Sequence, residues 1–376
     1  MHNQIRHIQE EMVNFKISDT IAQGSLEINL KECNLHTLPD TVYDIPGLQI
    51  IDLSKNLLPN DVFTDLMDLP DLYCINLTSN LLTSTLPIES GQCSSTLEEL
   101  CLDENIIEQL NESMVNYTNL VWFSIRKNCL KLFPGSLCSS WSDSLRYLDL
   151  RDNKLTVLPD EIGELQHLQE LYLSNNLLTT LPDSIGKCTN LEILLVNKNQ
   201  ITNIPLALNT CINLQHLDFA SNKLIDIQSM VLSNFIYLQD LFLGGNKITE
   251  IPMDIGNCVS LQILSLSSNS LKSLPESIGN LSNLREIYCG NNPMSSLPPT
   301  ITGWVQLQQG IFRNCKLKAL PPGIEETWKA AKFIDVRAKG KKDTICKVST
   351  EVQTVLKKTR MVGVVWTKPK KPKGKK

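Results

Sequence analysis

A leucine frame that returns every 23 residues constrains this chain more than any other feature. At its clearest it reads Leu168-x-x-Leu171-x-Leu173-x-x-Asn176-x-Leu178-x-x-Leu181-Pro182, followed by Ile185-Gly186. The first leucine recurs at Leu145, Leu168, Leu191, Leu214, Leu238, Leu261, Leu284 and Leu307, a step of 23 residues with one of 24. One such repeat is too short to bury its own leucines, so neighbours must stack and the array must be a solenoid. Counting from the first leucine, positions 4 and 6 fall on one face of a short strand, because side chains alternate with period two. That face is core. Position 9 is asparagine from Asn56 through Asn292, and an inward amide there can pair with backbone groups that burial would leave unsatisfied. Leu-Pro at positions 14 and 15 favours an extended turn, since proline fixes its own φ and restricts its predecessor.

The frame Leu-x-x-Leu-x-Leu-x-x-Asn-x-Leu resembles the leucine-rich repeat. The fold expected from it is an α/β solenoid, a horseshoe of about thirteen repeats with a parallel sheet on its concave face. The stretches Leu158–Leu168, Leu181–Leu191, Ile251–Leu261 and Leu274–Leu284 add Leu/Ile-Pro-x-x-Ile-Gly-x-Leu/Cys-x-x-Leu. This form is similar to the Ras-group of intracellular leucine-rich repeat proteins, which includes Scribble, Erbin and the Ras suppressors. The resemblance covers residues 25–323. It implies an adaptor for signalling proteins, with a small GTPase or a phosphatase subunit as partner, bound on the concave face.

Composition and pattern together divide the chain into an N-terminal cap (1–24), the array (25–323), a C-terminal cap (324–336) and a basic tail (337–376). With 376 residues, 42% of them hydrophobic, and no long apolar run, a single elongated domain without a membrane span is expected. Residues 3–15 place Ile5, Ile8, Met12 and Phe15 at roughly helical spacing, which suits an amphipathic lid on the first repeat. Serine-rich returns at Ser90–Ser95 and Ser136–Ser144 are the expected flexible places. The polar N-terminus lacks an apolar signal core, which points to the cytosol. Cys188, Cys211 and Cys258 stand three residues before a repeat's first leucine, where sister repeats carry Leu165 and Leu281. They read as small buried hydrophobes rather than a disulfide framework.

Charge is unevenly distributed. Residues 337–376 carry a net +12, which leaves −17 on the rest from a total of −5. The tail has three readings: a nuclear-localisation or nucleic-acid patch through Lys370-Lys371-Pro372-Lys373, a tether to acidic lipid, or an arm lying on the acidic array. A solubilising disordered tail is the plain alternative. The first of these makes the chain a nuclear or RNA-associated repeat factor, which is the rival to a cytoplasmic, monomeric signalling adaptor.

Positions 2, 3, 5, 7 and 8 of each frame should face outward on the concave side. There Glu98, Glu99, Asp103 and Glu104 form an acidic patch, followed at once by Trp122, Arg126, Arg146, Tyr147 and Arg151. Strands about 4.8 Å apart bring these together, and position 5 adds Tyr172, Phe242 and Tyr288. Aromatic rings beside arginines are the composition of protein-binding hot spots, and an ordinary solvated sheet face is the alternative. One constellation bears on catalysis: His216, Asp218 and Asp240 share a strand face and the next strand. It reads as a surface charge pair with a bystander rather than a metal site. The sequence contains no phosphate-cradling loop, metal-spaced Cys/His cluster or nucleophile motif, so neither cofactor nor catalytic residue is expected.

Overall fold

The computed structural model describes residues 2–84, 95–328, 331–337, 346–348, 360–362 and 364–366. They fall into two compact units, Met1–Leu191 and Glu192–Lys376. A stack in which each repeat touches mainly its neighbours has no central core to make it a single globule.

In the first unit a helix α1 (His2–Gln23) is followed by strands β1 (Glu27–Asn29), β2 (Ile50–Asp52), β3 (Cys74–Asn76), β4 (Glu99–Cys101), β5 (Trp122–Ser124), β6 (Tyr147–Asp149) and β7 (Glu170–Tyr172). All pair in parallel with their sequence neighbours, in registers such as Glu27↔Ile50, Trp122↔Tyr147 and Tyr147↔Glu170. The second unit repeats the plan with β8 (Ile193–Leu195), β9 (His216–Asp218), β10 (Asp240–Phe242), β11 (Ile263–Ser265), β12 (Glu286–Tyr288) and β13 (Gln309–Ile311). Residues 324–336 hold more than a terminal cap. A short helix (Ile324–Trp328) leads into β14 (Phe333–Asp335), which extends the sheet in the register Gln309↔Phe333. Arg360–Val362 pairs with β14 in turn, and Cys346–Val348 pairs with Val364–Trp366. The remainder of the basic tail, including Lys368–Lys376 and most of Ser349–Arg360, lies outside the described residues.

Positions 1, 4 and 6 are buried throughout, as at Leu168, Leu171 and Leu173. The position-9 amides do what burial demands of them. Asn246 donates to the Phe219 and Leu243 carbonyls, both at 2.9 Å, and accepts from the Leu224 amide at 3.0 Å. The same triple bridge recurs at Asn128 and Asn222. The preceding residue, position 8, adopts a left-handed φ of 55–60° at Lys127, Asp152, Asn175, Lys198, Ser221 and Ser268, with Gly245 at 72°. This sharp reversal ends each strand and swings the asparagine inward.

The return legs are mostly single 3-10 turns, such as Asp160–Glu164 and Met253–Asn257, each begun by an extended proline (Pro159, Pro252). The glycine of Ile-Gly is forced by close stacking: a Cβ on Gly163 or Gly256 would collide with the Ser184 or Ser277 carbonyl of the next repeat. Longer repeats wind their extra residues into α-helix at Val62–Met67 and Gly135–Ser140. The second of these corrects the expectation of a flexible return at Ser136–Ser144, since Leu137, Cys138 and Trp141 anchor it in the core. Ser90–Ser94 lie outside the described residues.

Cys188, Cys211 and Cys258 are buried, and they are among ten free cysteines between Cys33 and Cys315. Their column has a polar task as well: the Cys188 and Cys258 thiols reach the Ile162 and Leu232 carbonyls at 3.2 Å, and Trp304 donates its indole N–H to Ile278 at 2.8 Å in the same place. In α1 the buried stripe is Val13, Ile17 and Thr20, while Met12 is 41% and Phe15 71% exposed. At Met12 and Phe15 the expected face is therefore off by a rotation of the helix, while the side chains of Ile5 and Ile8 lie outside the described ones. The i, i+4, i+7 stripe that begins at Val13 outcompetes the one through Met12 and Phe15. Among the described residues no helix is long and apolar enough to cross a membrane.

Candidate functional site

The outward residues of β4–β7 build one continuous surface in the first unit. Trp122 and Tyr147 occupy position 3 of adjacent strands, and their rings stack at 4.8 Å with an interplanar angle of 15°. Tyr172, at position 5 of the next strand, lies 5.2 Å from Tyr147 at 45°. The Arg151 guanidinium sits 4.7 Å above the Tyr172 ring, a cation–π contact. Behind this surface Phe123 packs on Trp141 at 5.2 Å in the core, so the strand that presents Trp122 is anchored from within.

Polar groups lock the cluster. Arg151 binds the buried Asp149 carboxylate with its Nε 2.9 Å from both oxygens, and that carboxylate holds the guanidinium protonated. An Asp-Arg pair recurs at Asp335–Arg337. Tyr172 donates its hydroxyl to Glu170 at 2.5 Å. Burial, with Asp149 adding to it, pushes the Tyr147 hydroxyl up to about 12, so it stays protonated and uncharged at neutral pH. A buried ion pair roofed by aromatic rings contributes little net stability but fixes side-chain geometry.

The four carboxylates expected to form an acidic patch divide into different environments. Asp103 turns onto the neighbouring strand, accepting from Ser124 Oγ and the Arg126 amide at 2.5 and 2.7 Å; burial raises its pKa. Glu104 pairs with Lys127 at 2.5 Å, which lowers its pKa. Only Glu98 and Glu99 remain exposed without a cationic partner among the described residues. Arg126 pairs with Asp152 at 3.1 Å, and Arg146 stands exposed. The structure therefore gathers Trp122, Tyr147, Tyr172, Arg151, Arg126 and Arg146. Phe242 and Tyr288 belong to the second unit, where Tyr288 repeats the motif by donating to Glu286 at 2.5 Å.

Sequence reading missed Asp149 and Glu170, although both stand two residues from an aromatic or arginine on the same strand face, which was the available signal. In the second unit His216 Nδ1 meets Asp240 Oδ2 at 2.6 Å, while Asp218 turns to the Ala220 amide at 2.7 Å. Among the described residues no group of three His, Cys, Asp or Glu could hold a metal.

The family described as leucine-rich repeat region matches residues 142–230, and that described as leucine rich repeat matches 236–294. The chain has the leucine-rich repeat fold. The mouse leucine-rich repeat and calponin homology domain-containing protein 1 is 38% identical over 86 residues, 23% of this chain and 12% of that protein. The Dictyostelium discoideum MAP kinase phosphatase with leucine-rich repeats protein 1 is 40% identical over 76 residues, 20% of this chain and 9% of that one. Both likenesses thus span a small part of the relatives' length. Among solved structures, a leucine-rich repeat protein of Leptospira interrogans superimposes with a TM-score of 0.70 at 25% identity, covering 92% of this chain and 98% of that one. A leucine-rich effector protein from Yersinia pestis gives 0.64 at 23%, covering 87% and 81%. These likenesses establish the leucine-rich repeat solenoid.

Proposed function

We propose that this leucine-rich repeat protein is a non-enzymatic adaptor that captures a protein partner on the outward sheet face of β4–β7. The observation that carries the reading is the Trp122–Tyr147–Tyr172 cluster, held rigid by Arg151, Asp149 and Glu170 yet only half-buried. Large pre-ordered aromatic rings with adjacent arginines bind proteins at low entropic cost. No comparable convergence of nucleophile, base and oxyanion donors occurs among these residues. The Ile-Gly form of the repeat supports placement with the Ras-group, hence a cytoplasmic signalling role with a small GTPase or phosphatase subunit as partner.

The test compares proteins retained by the full chain with those retained by the Trp122→Ala/Tyr147→Ala and Phe242→Ala/Tyr288→Ala variants, each checked for an unchanged melt. A stoichiometric partner lost only with the first variant supports the reading. Loss only with the second moves the site to the other unit. The tail's net +12 favours a second reading, a nuclear or RNA-associated factor; accumulation in the nucleus of a fluorescent protein fused to residues 337–376 would support it.

A further inference from the structure

The position-3 column across β4–β7 reads Glu99, Trp122, Tyr147, Glu170, each residue in register with the next. An aromatic pair is thus bracketed by carboxylates on both sides. We propose that this column is the seat of a basic side chain, an arginine or lysine presented by an extended segment of the partner protein. The proposal rests on the adaptor reading and specifies the partner's chemistry.

Two observations carry it. First, the face's own cations are already committed: Arg126 to Asp152, Lys127 to Glu104, and Arg151 to Asp149. Among the described residues Glu98, Glu99 and Glu170 have no cationic partner, and Arg146 is the one arginine of this face without a carboxylate. The uncompensated charge on the surface is therefore negative. Second, the molecule shows the contact it would offer. On Tyr172 a guanidinium already lies over the ring while a carboxylate binds it. The neighbouring Trp122–Tyr147 pair has the same ingredients, the Trp122 ring face away from Tyr147 and the carboxylates of Glu99 and Glu170 at either end of the column, but no cation over it among the described residues. A guanidinium gains from the ring quadrupole and from the carboxylate together, and more so when the site is half-shielded from water. An acidic partner would instead have to face Glu98, Glu99 and Glu170 with only Arg146 to receive it, and like charges at contact distance oppose binding.

The experiment uses the full chain and a fluorescein-labelled Arg-Gly repeat peptide, with its citrulline and Glu-Gly counterparts, read by fluorescence anisotropy at physiological salt. The arginine peptide is expected to bind, and the citrulline and glutamate peptides to bind at least about tenfold more weakly. Glu99→Gln/Glu170→Gln should weaken the arginine peptide by about fivefold or more, as should Trp122→Ala/Tyr147→Ala. Glu161→Gln/Glu164→Gln, which removes the same charge from a return leg, should leave it unchanged. Equal losses in both glutamine doubles would mean diffuse attraction and would overturn the proposal, as would preference for the glutamate peptide. The same variants in the partner-retention test separate the two readings. Dependence on Trp122 and Tyr147 but not on Glu99 and Glu170 leaves the adaptor surface standing and sinks the basic-segment rule; dependence on neither sinks both.

Discussion

At the scale of single residues, the inward asparagine and the half-buried carboxylates set the clearest expectations. Replacing Asn246 by leucine strands the Leu224 amide, while the Phe219 and Leu243 carbonyls each lose one donor and keep the Asn222 and Asn269 amides. It should destabilise by about 1–3 kcal/mol, the cost of leaving one buried donor unpaired. Hydrogen exchange at the Leu224 amide should accelerate with it, and an unchanged rate would show that the bridge is dispensable. Asp218 behaves in the opposite sense. Burial raises its pKa to about 6, against the pull of the Ala220 amide. The folded chain thus retains a proton near pH 5 that the unfolded chain has released, so stability falls as pH rises from about 4 to about 6 and is flat beyond. Asp218→Asn keeps the acceptor and removes the charge. It should stabilise by about 1 kcal/mol at pH 7, allowing for partial exposure, with the gain gone below about pH 4. Denaturant melts at the two pH values check the sign.

The repeat is the scale at which the sequence was most legible, and its limits there have physical causes. Core leucines, inward asparagines and Leu-Pro were readable because one residue type answers one geometric demand at each position. Position 8 was not, because Lys127, Asp152, Lys198 and Ser268 all adopt a left-handed φ that their identities do not announce; neighbouring hydrogen bonds impose it. The same holds at the candidate site. Trp122, Tyr147 and Arg151 stood out by type, whereas the fate of Asp103 and Glu104 depended on Ser124 and Lys127 one strand away, which a one-strand reading cannot weigh. Glycine in Ile-Gly is a demand of stacking between repeats. Gly256→Ala forces a methyl against the Ser277 carbonyl and should cost about 1–3 kcal/mol, as overpacking does. Gly24→Ala, where a Cβ meets nothing but φ is +62°, should cost about 1 kcal/mol through backbone strain alone. A Gly256→Ala variant that melts like wild type would deny that close stacking is what fixes the glycine.

At the scale of the whole chain, a stack held by neighbour contacts is weakest where neighbours are missing, and its ends must be covered. The ends are also where the sequence misled: the repeat supplies no template for a cap, so the packing face of α1 had to be judged from apolar spacing, and Met12 and Phe15 lost to Val13 and Ile17. That difference is testable. Ile17 is 2% exposed against a first repeat whose Ile28 and Leu30 are buried beneath it, and Lys16 fastens the helix further by donating to the Asn29 carbonyl at 3.0 Å. A carboxylate at position 17 cannot be buried there without several kcal/mol of desolvation, so the helix should undock. Ile17→Asp is therefore expected to raise hydrogen exchange at β1 and β2 by about tenfold or more, with protection recovering by β6 and β7, because each repeat inherits stability mainly from the next. Phe15→Asp, on the exposed side of the same helix, should leave all of these rates near wild type. If Ile17→Asp instead lowers protection equally from β1 to β7, the first unit unfolds as one block and α1 is part of its core rather than a lid on its end.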